Sequence, residues 1–201
     1  MVCDVARKRS LDEGPALRSE ILATASRLFY EHGYAATSIR DLADAVGISS
    51  STMYHHFKNK QDVLHAIILT FMQDFNDAIV PVLCDTSRPP AERLAGAVRL
   101  HIEISDDRRP ELLTGNPFRN ALGPEQLRQT IAMQRTYHRA VRDAVTAGVA
   151  DGSFTTDDVT FSTMAVLDML NGVREWFHKD GRLTREEVIV LYQGMIAKLL
   201  S

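Results

Sequence analysis

Two cysteines in 201 residues, Cys3 and Cys84, are too few for a disulfide framework and form no Cys-x-x-Cys, so neither a stapled scaffold nor a zinc ribbon is expected. No uninterrupted apolar run of roughly eighteen residues stands out, and no membrane span is expected. The opening MVCDVARKRSLDEG has cations without a following apolar segment, so no secretory leader is expected and the cytoplasm is the expected compartment. A P-loop, a dinucleotide fingerprint and a nucleophile elbow are also missing, and no cofactor or metal is expected. Sustained polar/apolar alternation is absent, and only seven prolines and eleven glycines interrupt the chain. That combination excludes a β-sandwich or barrel and leaves an all-α class.

Few side-chain groupings suggest an enzyme: His101 with Glu103, the His55-His56 pair and Asp106-Asp107. On a helix, residues two apart diverge by about 200° and adjacent ones by about 100°, whereas a helical zinc site needs ligands at i and i+4. No catalytic residues are therefore expected.

Charge is unevenly placed. Residues 1–60 hold eight Lys/Arg against seven Asp/Glu, while the remainder holds fifteen against nineteen. Arg7, Lys8 and Arg9 form a basic arm, and Lys58 and Lys60 a second basic point. Such cations suit phosphates, whose neutralisation releases counterions.

Apolar spacing predicts a first helix from Pro15, burying Ile21, Leu22, Ala25, Leu28 and Phe29 and stopping at Gly33. A second opens after Thr37, read as its N-cap, and presents Ile39, Leu42, Ala43 and Val46 at helical spacing. Gly47 makes a turn, and a third short helix lies in SSSTMYHHF. Two short helices around Ala-Val-Gly-Ile have helix-turn-helix spacing over residues 38–57. The second displays Ser50, Ser51, Thr52, Tyr54, His55 and His56, hydrogen-bonding groups that suit base edges and phosphates. The plainer reading is a polar surface helix, since helical hairpins with a glycine turn occur in proteins that never touch DNA.

The stretch FYEHGYAATSIRDLADAVGISSSTMYHHFKNKQDVLHAII resembles the N-terminal domain of the TetR family of regulators. The resemblance rests on Phe29 to Gly33, Thr37, the Ile39-Arg40-Asp41-Leu42-Ala43 run, Gly47, and Tyr54-His55-His56-Phe57 before Lys58, Asn59 and Lys60. It implies a three-helix DNA-binding head, a linking fourth helix, a ligand-binding body and a homodimer that leaves operator DNA when a small molecule binds. It further implies phosphate contacts from Thr37, Ser38 and Lys60, groove contacts from Thr52 and Tyr54, and a backbone or base contact from His56. Arg40 is a further groove or phosphate candidate. The expected layout is an arm at 1–14, a DNA-binding domain at 15–60 and a ligand-binding, dimerising domain at 61–201.

Beyond the head, a fourth helix capped at Asn59 carries an apolar stripe from Leu64 to Val82, and Pro89-Pro90 starts a fifth. RRPELLTGNPFRNALGPE permits one short helix, and Pro124 starts a long one to about Gly148. There Gln134 and His138 interrupt an apolar seam of Leu127, Ile131, Val141 and Val145. Either they face a ligand or neighbouring helices satisfy them. The penultimate helix, VTFSTMAVLDMLNGVREWF, is apolar nearly all round. Its Val166, Leu170, Val173 and Phe177, with Val188, Leu191, Tyr192, Met195 and Leu199 of the last helix, are assigned to a four-helix dimer interface. Phe161, Met164, Asp168, Asn171 and Trp176 are assigned to a pocket with Phe118, Met133, Gln134, Tyr137 and His138. The ending EWFHKDGRLTREEVIVLYQGMI resembles family members governing fatty-acid, acyl-thioester or steroid breakdown, implying an amphipathic effector. A DNA-binding architectural protein without ligand control, and a small-molecule carrier or enzyme, are the alternatives.

Overall fold

The computed structural model describes residues 14–115 and 119–201; the basic arm with Arg7, Lys8 and Arg9, and Phe118, lie outside them. The described residues are helical throughout, in the order α1 (Gly14–His32), α2 (Ile39–Val46), α3 (Ser50–His56), α4 (Lys60–Cys84), α5 (Pro90–Asp107), α6 (Arg109–Gly115), α7 (Pro124–Ala150), α8 (Val159–Trp176) and α9 (Arg185–Leu199). A 3₁₀ turn, Arg119–Ala121, separates α6 from α7.

Local chemistry places the ends of these helices. Ser38, not Thr37, caps α2: its hydroxyl accepts from the Asp41 amide while the Asp41 carboxylate accepts from the Ser38 amide, a reciprocal capping box. Hydrogen bonds to it from the Ser38 amide and the Ser38 side chain hold the Asp41 carboxyl below its ordinary pKa. Gly47 ends α2 at φ 74°, a left-handed conformation that any Cβ would strain. The Ser49 and Asn59 side chains cap α3 and α4 by accepting from the Thr52 and Asp62 amides, and Thr184 and Glu187 form a capping box on α9. At the far end, a Cβ on Gly148 would lie 2.1 Å from the Phe154 ring, so only glycine lets the α7–α8 turn fold back onto α7.

Apolar side chains gather into two cores. Ile21, Phe29, Leu42, Met53, Leu64 and Ile67 anchor the first, closing α1–α3 onto the start of α4. The second joins the rest of α4 to α5, α7, α8 and α9 through residues such as Phe75, Ile102, Val145, Leu170 and Ile189. α4 belongs to both, and Met72 packs against each. By length and mean hydropathy α4 is apolar enough to cross a membrane, although charged residues break its apolar run. Its charges at Asp62, Asp74 and Asp77 and its buried Phe71, Phe75 and Ile79 make it a helix shared by two cores.

Candidate nucleic-acid interface and ligand cavity

At the head, α2 and α3 pack through Leu42, Val46 and Met53, with Met53 completely buried. That packing turns the remaining α3 side chains outward. Ser50, Ser51, Tyr54 and His55 are exposed, Thr52 and His56 are half-buried, and Ser38, Arg40 and Lys58 are exposed around the same end. Thr52 Oγ1 lies 2.9 Å from Ser49 Oγ, which fixes its rotamer at the start of the helix. An exposed tyrosine amid serines, histidines and cations is a hydrogen-bonding surface of the kind that reads grooves and grips phosphates.

Two expected contacts are redirected. Thr37 is buried and its hydroxyl donates to the Gly33 carbonyl at 3.0 Å, so that hydroxyl faces inward, away from any phosphate. Lys60 Nζ donates to the carbonyls of Tyr34 (2.6 Å), Thr37 (2.8 Å) and Ala35 (3.4 Å) and sits 4.4 Å from the centre of the Tyr34 ring. Three carbonyls and a π face saturate the ammonium. Lys60 thus ties the α1–α2 turn to the first turn of α4 and positions Ser38 instead of reaching outward itself.

Between α4, α5, α6, α7 and α8 lies a partly open cavity. Phe71, Phe75 and Leu112 give it apolar walls. Gln134, Tyr137, His138 and Asn171 line it, which answers the open question about Gln134 and His138: both face the cavity. The expected seam on α7 holds at Val141 and Val145, both buried in the second core, and departs from it toward the start of the helix, where Tyr137 joins that core, Ile131 is half-buried and Leu127 packs against the first core.

The spacing of apolar residues missed the polar end of this cavity. His101 Nδ1 and Tyr137 Oη are 2.9 Å apart, and Phe75 meets both rings edge-on at 5.1 and 5.0 Å. Burial, helped by the nearby Arg174 charge, lowers the His101 pKa to about 3, and burial raises that of Tyr137, so both are neutral. Ser105, one turn along α5 from His101, has a buried hydroxyl with no partner among the described residues and lines the same space. A buried unpartnered hydroxyl is costly and is the feature a ligand oxygen would relieve. The polar residues His101 and Ser105 on an otherwise apolar α5 stripe were the available signal.

Several assignments are corrected by burial. Val166, Leu170, Val173, Phe177, Val188 and Tyr192 are core residues of this subunit, so they cannot form an interface with another. Phe161 (71% exposed), Met164, Asp168 and Trp176 turn outward instead of walling the cavity, and Met133, half-buried, is not part of its lining. Leu191, Met195 and Leu199 remain exposed, joined by Val190. α8 is apolar nearly all round, and its periodicity does not say which face meets its own core; the valine-leucine stripe does, packed by α5, α7 and α9.

Comparisons with known proteins agree with this architecture. Residues 87–200 match the family described as "Tetracyclin repressor-like, C-terminal domain", and residues 21–67 match "Bacterial regulatory proteins, tetR family". The chain is 28% identical to the HTH-type transcriptional repressor KstR2 of Mycolicibacterium smegmatis, over 89% of this chain and 88% of that one. It superimposes on the TetR-family regulator PfmR from Thermus thermophilus with a TM-score of 0.83 and 34% identity, covering 89% and 97% of the two chains. AibR, crystallised in complex with isovaleryl coenzyme A and operator DNA, matches with a TM-score of 0.81 and 28% identity, over 89% and 97%. With a helix-turn-helix head matched by one family description and a cavity-bearing body matched by the other, the chain belongs to the TetR family of DNA-binding transcriptional regulators.

Proposed function

We propose that this chain is a cytoplasmic homodimeric repressor that leaves a palindromic operator when an amphipathic effector, an acyl-thioester or related lipid, fills the cavity. The observation that carries this reading is the double membership of α4: Leu64 and Ile67 are locked into the head while Phe71 and Phe75 wall the cavity one to three turns further on. At ~1.5 Å rise per residue, a displacement at Phe75 acts on the head across only about 12–16 Å of one rigid element. Two α3 helices set ~34–36 Å apart would enter successive major grooves, with Ser38, Arg40, Ser50, Ser51, Thr52, Tyr54, His55, His56 and Lys58 forming the contact face.

Subunit pairing is assigned to the outward flank of α8 and α9, where Phe161, Leu191, Met195 and Leu199 leave large apolar surface exposed. The effector class rests on the apolar cavity with its neutral polar end and on AibR having been crystallised with an acyl thioester.

The test is fluorescence anisotropy on fragments of the protein's own promoter, titrated with fatty acids, acyl thioesters and sterol-like acids. Release by about 100-fold, equivalent to ~2.7 kcal/mol of coupling, is expected from the right class. Specific DNA binding that no cavity-bound ligand loosens would leave a regulator without ligand control and sink the proposal.

A further inference from the structure

Outside the cavity, an open groove runs between α7 and α8. Arg135, Arg139 and Arg142 form one wall, and Thr160, Met164 and Leu167 line the other side. The groove and the inner cavity share one residue, His138, which lines both.

The arginines stand at i, i+4 and i+7, the spacing that brings like charges together on one helix face and destabilises the helix. Among the described residues, neither Arg135 nor Arg139 pairs with a carboxylate; Arg139 Nε donates only to the Arg135 carbonyl at 3.4 Å. Arg142 meets its exposed neighbour Asp143 at 3.4 Å. Across α8, the Asp168 carboxylate acts electrostatically on His138. Guanidinium groups offer fixed donor forks that match phosphate oxygens, and a row of them beside an apolar floor fits an anion attached to a hydrocarbon.

We propose that the α7–α8 groove is a phosphate site: an effector placing its apolar part in the inner cavity would pass His138 and lay a phosphorylated headgroup along Arg135, Arg139 and Arg142. This deepens the effector reading above and depends on it. The apolar end is met by Phe71 and Phe75, the midpoint by the His138 imidazole, and the charged end by cations with no competing internal acid at Arg135 and Arg139. A free fatty acid would reach only the first of these.

The experiment uses the full-length protein and four probes: decanoyl coenzyme A, decanoyl lysophosphatidate, decanoate, and the uncharged thioester decanoyl-N-acetylcysteamine. Calorimetry is run on the wild type and on the double variant Arg135→Gln/Arg139→Gln, whose changes lie on an exposed face away from both cores. The expected result is at least tenfold tighter binding of a phosphorylated probe than of either unphosphorylated one. The double variant should abolish that preference while leaving the uncharged thioester unaffected, and the preference should weaken with added salt. Which phosphorylated probe wins distinguishes a nucleotide-type carrier from a lipid headgroup. Equal affinities for phosphorylated and unphosphorylated probes, or a preference that survives the double variant, overturn the phosphate site while the cavity reading stands. Failure of all four probes to bind a protein that still holds its operator overturns both.

Discussion

The Thr114 hydroxyl donates to the Ser26 carbonyl at 3.2 Å, with both groups buried, and so joins α6 to the first helix of the DNA-binding head. On the same short helix, Glu111 and Leu112 line the inner cavity. α6 is therefore in contact with the cavity on one side and the head on the other. Beside it, Gln61 on α4 donates to the Ala121 carbonyl and Gln126 on α7 donates to Asp62, also on α4, so polar contacts tie the first turn of α4 to the α6–α7 connection and to α7.

Replacing Thr114 by valine keeps the volume and removes the donor. A modest stability loss of about 1 kcal/mol is expected from one hydrogen bond. Operator affinity without effector should stay within a few-fold of wild type, while the fold-release by effector should shrink. An unchanged fold-release in anisotropy titrations would show that α6 does not carry coupling through this contact.

Lys60→Met tests the placement of the ammonium on three carbonyls. Because the side chain organises the α1–α2 turn, the variant should lose thermal stability and bind specific and non-specific DNA more weakly. The slope of log affinity against log salt should remain near that of the wild type. A slope reduced by about one, with melting temperature unaffected, would instead identify a direct phosphate contact.

Tyr54 is exposed on α3 and packs into neither core. Tyr54→Ala should lower specific operator affinity by at least about tenfold, in line with the ~1–3 kcal/mol of a good base contact. Melting temperature should not move. Unaltered discrimination between operator and random DNA would place α3 elsewhere than in the groove.

The two faces of α9 give paired expectations. Leu191→Glu puts a charge on an exposed apolar flank and should shift sedimentation toward a folded monomer. Val188→Glu, at a wholly buried position, should unfold the body instead. A stable Leu191→Glu dimer would move the interface off this flank.

Acid should weaken the fold through His101. Its pKa, about 3 when folded against an ordinary 6.5, means the unfolded chain takes up a proton that the folded chain refuses. The stabilisation is complete above 6.5 and is lost as pH falls toward 3, with a slope approaching ~1.4 kcal/mol per pH unit for one proton. Burial lowers His65 and His138 as well, in the same sense. Denaturant titrations of His101→Gln should show a shallower pH dependence than wild type; an identical one would mean His101 is not held neutral.

Residues that act through their immediate neighbours were legible in the linear chain. The Asn59 cap, the Gly47 turn, the α2–α3 pairing and the outward serine, tyrosine and histidine face of α3 depend on contacts within a few residues, so spacing and side-chain chemistry suffice to infer them. The family signature in residues 29–68 lies in the same stretch. Even there, the cap fell one position later than expected, on Ser38, whose backbone is extended and whose hydroxyl accepts from the Asp41 amide, while the Thr37 hydroxyl is spent on the Gly33 carbonyl.

What the chain determined by itself, then, is an all-helical architecture with a helix-turn-helix at its start, since helix ends and amphipathic stripes are local properties. Tertiary structure decided which face of α7 and α8 is core, cavity or free surface, where Lys60 sends its charge, and that His101, Ser105 and Tyr137 share one neutral corner. The physical reason is that a helix apolar around most of its circumference satisfies several packings equally in isolation. Only the positions of neighbours tens of residues away remove water from one face and leave it on another.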